Sequence, residues 1–177
     1  MQRRSFIFGA LATAAVSVPK VSTATVSFFA PTKLCLYHTH TNEFIEVEYS
    51  KWGGLLDSSL NRLNYFLRDY RTDQTKPMDP QLFDILYELQ KYSHNDRGVF
   101  EIVSAYRSPE TNSMLRRHSK GVARQSLHQY GQALDIRLRG TSISQVHRLA
   151  MDIQAGGVGY YPRANFVHVD TGSVRNW

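Results

Sequence analysis

Two histidines and one aspartate have side chains that commonly bind zinc. His128 and Asp135 are seven residues apart, with Gly131 between them to permit a tight turn, and His168 follows 33 residues after Asp135. Two imidazoles and one carboxylate can bind zinc and leave the fourth tetrahedral position to water, as in catalytic zinc sites. This ligand set leaves about one net positive charge on the ion, which lowers the pKa of bound water toward about 7 and polarises a carbonyl. The residue types make His128, Asp135 and His168 candidate ligands of one zinc ion per chain.

Two predicted strands must carry the aspartate and the second histidine. In residues 133–138, the large apolar residues at 134, 136 and 138 alternate with Ala133, Asp135 and Arg137. This alternation places Asp135 on the face opposite the apolar one. In the strand predicted at residues 166–170, His168 and Asp170 share a face because they are two positions apart. The helix predicted at residues 143–153 fits over the apolar face. The zinc site is therefore expected on the open face of a sheet.

Hydrophobic periodicity and turn residues predict the other elements. Two strands around a turn are expected at residues 34–40 and 44–49. They are followed by a helix at 55–70 and a second helix that begins after Asp79-Pro80. A buried strand at 99–105 and a short helix at 109–117 come next. A further strand is expected at residues 156–161. This order predicts an α+β fold with a small, mainly antiparallel sheet and helices packed on one face.

The composition is that of a single globular domain. The chain has 177 residues, of which 42% are apolar and 20% charged. A chain of this length buries roughly 70% of the surface that its unfolded form exposes, so its core needs no metal, and a metal would serve chemistry. The net charge is +6, but residues 1–24 contain three basic residues and no acidic one, and the remainder carries only +3. This modest charge argues against nucleic acid as a partner.

Residues 1–24 have the pattern of an export signal. Arg3 and Arg4 precede an apolar run at residues 6–18, which is shorter than the about 20 residues that span a bilayer, and small residues follow at 22–24. The adjacent arginines favour the twin-arginine route, with general secretion and an uncleaved N-terminus as the alternatives. Cys35 is the single cysteine, and no cysteine ends the apolar run, which argues against a lipid anchor. We therefore expect residues 25–177 to form one domain in the periplasm, without a stable membrane anchor.

Three separated motifs occur in the order found in one peptidase family. They are Ser-Ala-Tyr-Arg-Ser at residues 104–108, the stretch at 126–135 and the stretch at 157–172. From about Leu34 to Trp177 the chain resembles the zinc D,D-peptidase group of the lysostaphin-like metallopeptidases, which share a hedgehog-like fold, and within it the MepK-like murein endopeptidases. The resemblance implies that His128, Asp135 and His168 are the zinc ligands. It also implies that Arg107 lies near the substrate carbonyl, where a guanidinium can stabilise an oxyanion.

One position departs from the pattern of that group. Its dipeptidases and carboxypeptidases place a glutamate, the general base, three residues before the last histidine, where this chain has Asn165. An amide cannot take the proton from water. Asp170 shares a strand face with His168 and is the nearest ionisable candidate for the base. The alternative is that Asp170 only accepts a hydrogen bond from a ligand imidazole and orients it.

The resemblance implies an exported zinc endopeptidase that hydrolyses amide bonds in the stem-peptide cross-links of peptidoglycan. The bond is left open between D-alanine to diaminopimelate, diaminopimelate to diaminopimelate and others. Asn165 prompts the alternative of a non-catalytic module that binds zinc and peptidoglycan. A D,D- or L,D-carboxypeptidase and a domain with purely structural zinc are further alternatives.

Two histidines near the start of the mature chain could suggest a second metal site. His38 and His40 are two positions apart on a predicted strand and therefore share a face. No third ligand stands nearby in the sequence. Exposed polar strand residues are the commoner explanation.

Several further residues flank the predicted zinc ligands. Ser126 and Gln132 could contact substrate, although such residues are more often satisfied locally. Tyr160 and Tyr161 could line the cleft or only pack. A basic cluster before the ligand motif could attract the carboxylates of stem peptides or be a solvated loop, and consists of Arg116, Arg117, Lys120 and Arg124.

Overall fold

The computed structural model describes residues 32–49, 57–119 and 121–177. The predicted export signal, Lys120 and the first two residues of the helix predicted at 55–70 lie outside these ranges. The strands are β1 (Thr32–His38), β2 (Phe44–Tyr49), β3 (Val99–Ser104), β4 (Ala133–Leu138), β5 (Gly157–Tyr161), β6 (Phe166–Asp170) and β7 (Arg175–Asn176). The helices are α1 (Asp57–Phe66), α2 (Gln81–Tyr92), α3 (Pro109–His118) and α4 (Ile143–Ile153), and a 3-10 helix spans Leu127–Tyr130.

The described strands form one mixed sheet in the order β2-β1-β3-β4-β6-β5-β7. Most neighbouring pairs are antiparallel, but β1 pairs with β3 and β5 pairs with β7 in parallel. β4 and β6 are antiparallel neighbours, and their register places Asp135 opposite His168. Facing residues on adjacent strands have Cβ atoms about 5 Å apart, so this register brings two predicted ligands together.

Alternation along the central strands separates the core from the site. Leu134 and Ile136 on β4 and Val167 and Val169 on β6 are buried in a core that also includes apolar residues of α1, α2 and α4. Asp135 and His168 stand between these positions and therefore point to the opposite face. This arrangement confirms the predicted α+β class and the alternation predicted for the fourth strand.

The elements differ from the predictions where short-range contacts decide the backbone. α1 ends at Phe66 instead of residue 70, because the following chain turns around Asp69, whose side chain accepts the backbone N–H of Arg71 at 3.0 Å. The 3-10 helix and β7 are too short to produce a hydrophobic period and were not predicted. No helix within the described ranges is long and apolar enough to cross a membrane.

Candidate metal centre

Three predicted ligand atoms converge on one point beside the sheet. His128 Nε2 lies 3.3 Å from both His168 Nδ1 and Asp135 Oδ1, and the last two atoms are 2.8 Å apart. Ligand atoms of a tetrahedral zinc ion with bonds of about 2.0–2.1 Å are about 3.3 Å apart. All three side chains are buried. The donor set and its spacing therefore fit one zinc ion.

His128 is positioned by the 3-10 helix and by the segment that follows β3. Its Nδ1–H donates to the Ala105 carbonyl at 2.7 Å, and its own carbonyl accepts the N–H of Arg107 at 3.1 Å. This pairing keeps the proton on Nδ1 and leaves the Nε2 lone pair free for a metal. The turn ends at Gly131, which has a φ of 70° and whose Cβ, if present, would lie 2.5 Å from the Pro77 carbonyl oxygen. Glycine is thus required at this turn.

Asp135 uses its two oxygens for different partners. Oδ1 faces the two imidazoles, and Oδ2 accepts a hydrogen bond of 2.6 Å from the Arg107 guanidinium. Arg107 also donates to the Ser104 hydroxyl at 2.8 Å. The buried carboxylate of Asp69 accepts the N–H of Ser108 at 2.8 Å and so holds the segment that carries Arg107. The guanidinium is therefore fixed beside the candidate metal position.

Asp170 lies on the edge of His168 that points away from the other two ligands. Its Oδ2 accepts from His168 Nε2 at 3.0 Å, which leaves Nδ1 directed at Asp135 and His128. Asp170 also accepts hydrogen bonds from the N–H groups of Gly157 and Gly172 and from the Arg175 guanidinium. A carboxylate on the second nitrogen of a ligand imidazole is the usual device that sets its tautomer. Asp170 is thus in contact with the outer nitrogen of His168.

The charged groups of the site shift one another's pKa. Burial raises the pKa of Asp135, but His128, His168 and Arg107 outweigh burial and hold it well below its ordinary range. Burial also raises the pKa of Asp170, and hydrogen bonds from His168 and Arg175 outweigh it in the same way. Burial lowers the pKa of His128. Burial lowers the pKa of His168 as well, but its hydrogen bonds to Asp135 and Asp170 raise it by more. Both carboxylates are therefore ionised, as cation binding requires.

The three candidate ligands line a cleft of about 330 Å³. Arg107, Ser126, Tyr161 and Trp177 are among the residues that line it. Asp135 and Asp170 are the only carboxylates among the described residues of its lining. The cleft thus joins a candidate metal position to two arginines, Arg107 and Arg175, and to several aromatic residues.

Asn165, which stands where the dipeptidases and carboxypeptidases of the group have a glutamate, is not among the residues of the cleft lining. It is an exposed turn residue between β5 and β6 with a φ of 55°, a conformation that asparagine adopts more readily than most residues. Its carbonyl accepts a hydrogen bond from Arg137. Asn165 therefore belongs to the turn between β5 and β6.

The expectation of two exposed strand histidines was wrong for His38. β1 ends at this residue, which is 1% exposed, and its Nδ1 accepts the N–H groups of His40 and Thr41 at 3.3 Å each. His40 is exposed and stacks on Tyr70 with ring centroids 4.2 Å apart. The two imidazoles therefore organise a turn. In the described part of the chain, the group that could hold a metal ion is His128, Asp135 and His168.

The other residues predicted near the site divide between cleft and scaffold. Ser126 and Tyr161 line the cleft, whereas Tyr160 stacks on His147 with ring centroids 4.7 Å apart. Gln132 joins two segments through its backbone, which bonds to Leu127 and Thr171. The described members of the basic cluster are exposed and lie on either side of a cleft-lining loop, at Arg116, Arg117 and Arg124.

Sequence reasoning missed the residues that support the site from β5 and β7. Arg175 binds Asp170, and Gly157 donates its N–H to the same carboxylate. Trp177 lies with its ring 5.2 Å from that of His168. The two glycines of the stretch at 157–159 were the available signal, since alternate glycines on a strand indicate close approach of another segment.

Comparison with known proteins gives matches to one family. The sequence profile of a family described as peptidoglycan L,D-endopeptidase MepK matches residues 27–177. Peptidoglycan L,D-endopeptidase MepK of Escherichia coli K12 is 43% identical over 99% of this chain and 96% of its own length. The probable peptidoglycan L,D-endopeptidase MepK of Haemophilus influenzae is 39% identical over 99% of this chain and 95% of its own length. No solved structure matches the chain.

Proposed function

The chain belongs to the MepK family of peptidoglycan L,D-endopeptidases, and from this membership we propose that it is a zinc-dependent enzyme that cleaves stem-peptide cross-links. It is a peptidoglycan hydrolase. The observation that carries the zinc proposal is the triangle of His128 Nε2, Asp135 Oδ1 and His168 Nδ1, with the outer nitrogen of each imidazole hydrogen-bonded to a protein oxygen. We propose one zinc ion per chain at this position, in the fold that the lysostaphin-like peptidases share.

The residues around the triangle supply the other parts of an amide hydrolase. When bound, zinc supplies Lewis acidity toward the scissile carbonyl and an attacking water. Arg107 presents its guanidinium to the cleft and can stabilise negative charge that develops on the carbonyl oxygen. Asp170 keeps His168 in position through a 3.0 Å hydrogen bond. We therefore assign Arg107 to charge stabilisation and Asp170 to orientation of a ligand.

The relatives' name specifies an L,D bond, and we propose the same bond class for this chain. A cross-link between two diaminopimelate residues joins an L centre to a D centre, whereas a cross-link from D-alanine joins two D centres. The test uses purified residues 25–177 with a dimer of each kind and product mass spectrometry. Loss of the diaminopimelate-linked dimer, abolished by a chelator and restored by zinc, is the expected result.

Matched variants separate the proposed site from general effects. His128→Ala should abolish cleavage, because it removes one of three ligands, whereas replacement of the exposed His118 by alanine should leave cleavage unchanged. Binding of zinc and muropeptides without cleavage would support the non-catalytic module instead. Release of single terminal residues from monomers would support a carboxypeptidase.

We also propose export to the periplasm through residues 1–24, by the twin-arginine route. Peptidoglycan lies outside the inner membrane, so an enzyme of this function must leave the cytoplasm. The adjacent Arg3 and Arg4 support this route. Replacement of both by lysine should retain the full-length chain in the cytoplasmic fraction. Normal export of that variant would favour general secretion.

A further inference from the structure

The segment of residues 175–177 is built onto the edge of the sheet beside the site. β7 pairs in parallel with β5, with Arg175 opposite Gly157. The pairing continues at Trp177, whose carbonyl accepts the N–H of Tyr160 at 3.0 Å and whose N–H donates to Val158 at 3.2 Å. Both the N–H and the carbonyl of Trp177 are therefore hydrogen-bonded to β5.

Glycine at position 159 makes room for the indole ring. A Cβ at Gly159 would lie 2.7 Å from Cε2 and 2.8 Å from Cζ2 of Trp177. Atoms of real side chains do not approach so closely, so the ring rests directly on the glycine backbone. Gly157, on the same face of β5, makes room in the same way for Arg175 and the Asp170 carboxylate. Both glycines are thus explained by the residues that lie on them.

The indole is fixed in orientation although half of the residue is exposed. Its Nε1–H donates to the Tyr161 hydroxyl at 2.7 Å, and Tyr161 stacks on Phe166 with ring centroids 4.5 Å apart. The indole lies beside the His168 ring, and Trp177 remains 50% exposed. Large aromatic side chains that are exposed yet held in one orientation are typical of binding surfaces, because little side-chain freedom is lost on binding.

We propose that Trp177 forms an apolar wall of the cleft, against which the methylene chain of the diamino acid in the cross-link packs. The inference rests on the proposed function and adds a residue that determines substrate affinity. Polar residues of the cleft lining, among them Arg107 and Ser126, can bind the polar ends of such a residue, but their polar groups offer no apolar surface to its methylenes. The indole beside His168 supplies that apolar surface at the reacting end of the cleft.

The test compares steady-state kinetics of diaminopimelate-linked dimer cleavage by variants of the zinc-loaded enzyme. Trp177→Ala should raise KM about tenfold, because contact with roughly two methylene groups is lost, and should change kcat by less than about threefold. Trp177→Phe, which keeps an aromatic face, should raise KM by only about two- to threefold. Tyr92→Ala removes an aromatic ring of similar exposure outside the cleft lining and should change neither constant.

Gly159→Ala provides an independent test through the seat of the ring. Its Cβ displaces the indole, so it should raise KM in the wild-type background. In the Trp177→Ala background it should have no further effect on KM, because the displaced group is absent.

Three results would overturn the inference. The first is an unchanged KM in Trp177→Ala. The second is a fall in bound zinc together with kcat, which would mean that the indole supports His168. The third is that the effects of Trp177→Ala and Gly159→Ala on KM are fully additive. If the wild-type protein cleaves no dimer, the proposed function fails, and calorimetry with the same dimer decides the inference separately. Binding weakened about tenfold by Trp177→Ala would then sustain it, and absence of wild-type binding would refute it.

Discussion

Replacement of Asp170 by asparagine changes one oxygen of the carboxylate to an NH₂ group and tests whether Asp170 supports the candidate metal centre. The carboxylate accepts hydrogen bonds on both oxygens. Oδ1 accepts from Gly157, Gly172 and Arg175, and Oδ2 accepts from His168 Nε2 and Arg175. Asparagine has nearly the same shape but replaces one acceptor oxygen by a donor NH₂ group. The substitution therefore places a donor against donors in either orientation of the amide.

The two orientations have different costs. With the NH₂ group at the Oδ1 position, the N–H groups of Gly157 and Gly172 lose their acceptor, at about 1–3 kcal/mol each. With the NH₂ group at the Oδ2 position, the Arg175 guanidinium, 41% exposed, can turn to water. His168 can then accept at Nε2 only by moving its proton to Nδ1, the atom directed at Asp135 and His128. The second orientation is cheaper, and it protonates the nitrogen that the metal requires.

We therefore expect Asp170→Asn to weaken zinc binding by about 10–100-fold. Zinc affinity is measured by competition with a chromophoric chelator, and dimer cleavage is measured at limiting and at saturating zinc. Saturating zinc should restore most of the cleavage, because an orienting residue acts through occupancy. Asp152→Asn, which changes an exposed carboxylate on α4, is the matched control. Wild-type zinc affinity with lost turnover would refute the orienting role and support Asp170 as the base, and wild-type values of both would refute either role.

Other predictions concern the scaffold. Burial and a neighbouring imidazole lower the pKa of His38 from 6.5 to about 4, so His38 contributes full stability above about pH 6.5 and loses it toward pH 4. Between pH 7 and pH 4, the unfolding free energy measured with urea should fall by up to about 3 kcal/mol more for the wild-type protein than for His38→Gln. An equal fall in the two proteins would contradict this prediction. Gly131→Ala should lower the unfolding free energy by at least about 1–2 kcal/mol, because the backbone at this position is left-handed and the added Cβ would clash with Pro77. A variant with the melting temperature of the wild-type protein would contradict this prediction. Asp69→Ala leaves the buried N–H of Ser108 without its acceptor, which should cost about 1–3 kcal/mol and reduce kcat/KM, whereas Asp152→Ala, at an exposed position of α4, should not.

Local sequence was sufficient for most elements and for the identity of the candidate ligands. The bounds predicted for β4, α4 and β6 agree with the structure, because strict alternation and a three-and-four period are properties of consecutive residues. His128, Asp135 and His168 were recognised from residue type and from motifs that resemble a known family. The predicted alternation also placed His168 and Asp170 on one face, as observed.

Tertiary structure decided what these residues contact. The sequence offered Asp170 as the candidate base, with orientation of a ligand imidazole as the alternative, and only the three-dimensional structure shows which nitrogen of His168 it contacts. His38 was expected to be exposed and is buried, because its environment is made by α1 and the loop after it. Trp177 reaches the cleft only because two strands pair and a glycine lies beneath its ring. Burial, ion pairs and tautomers depend on groups distant in the chain, and a one-dimensional pattern contains no information on their distances.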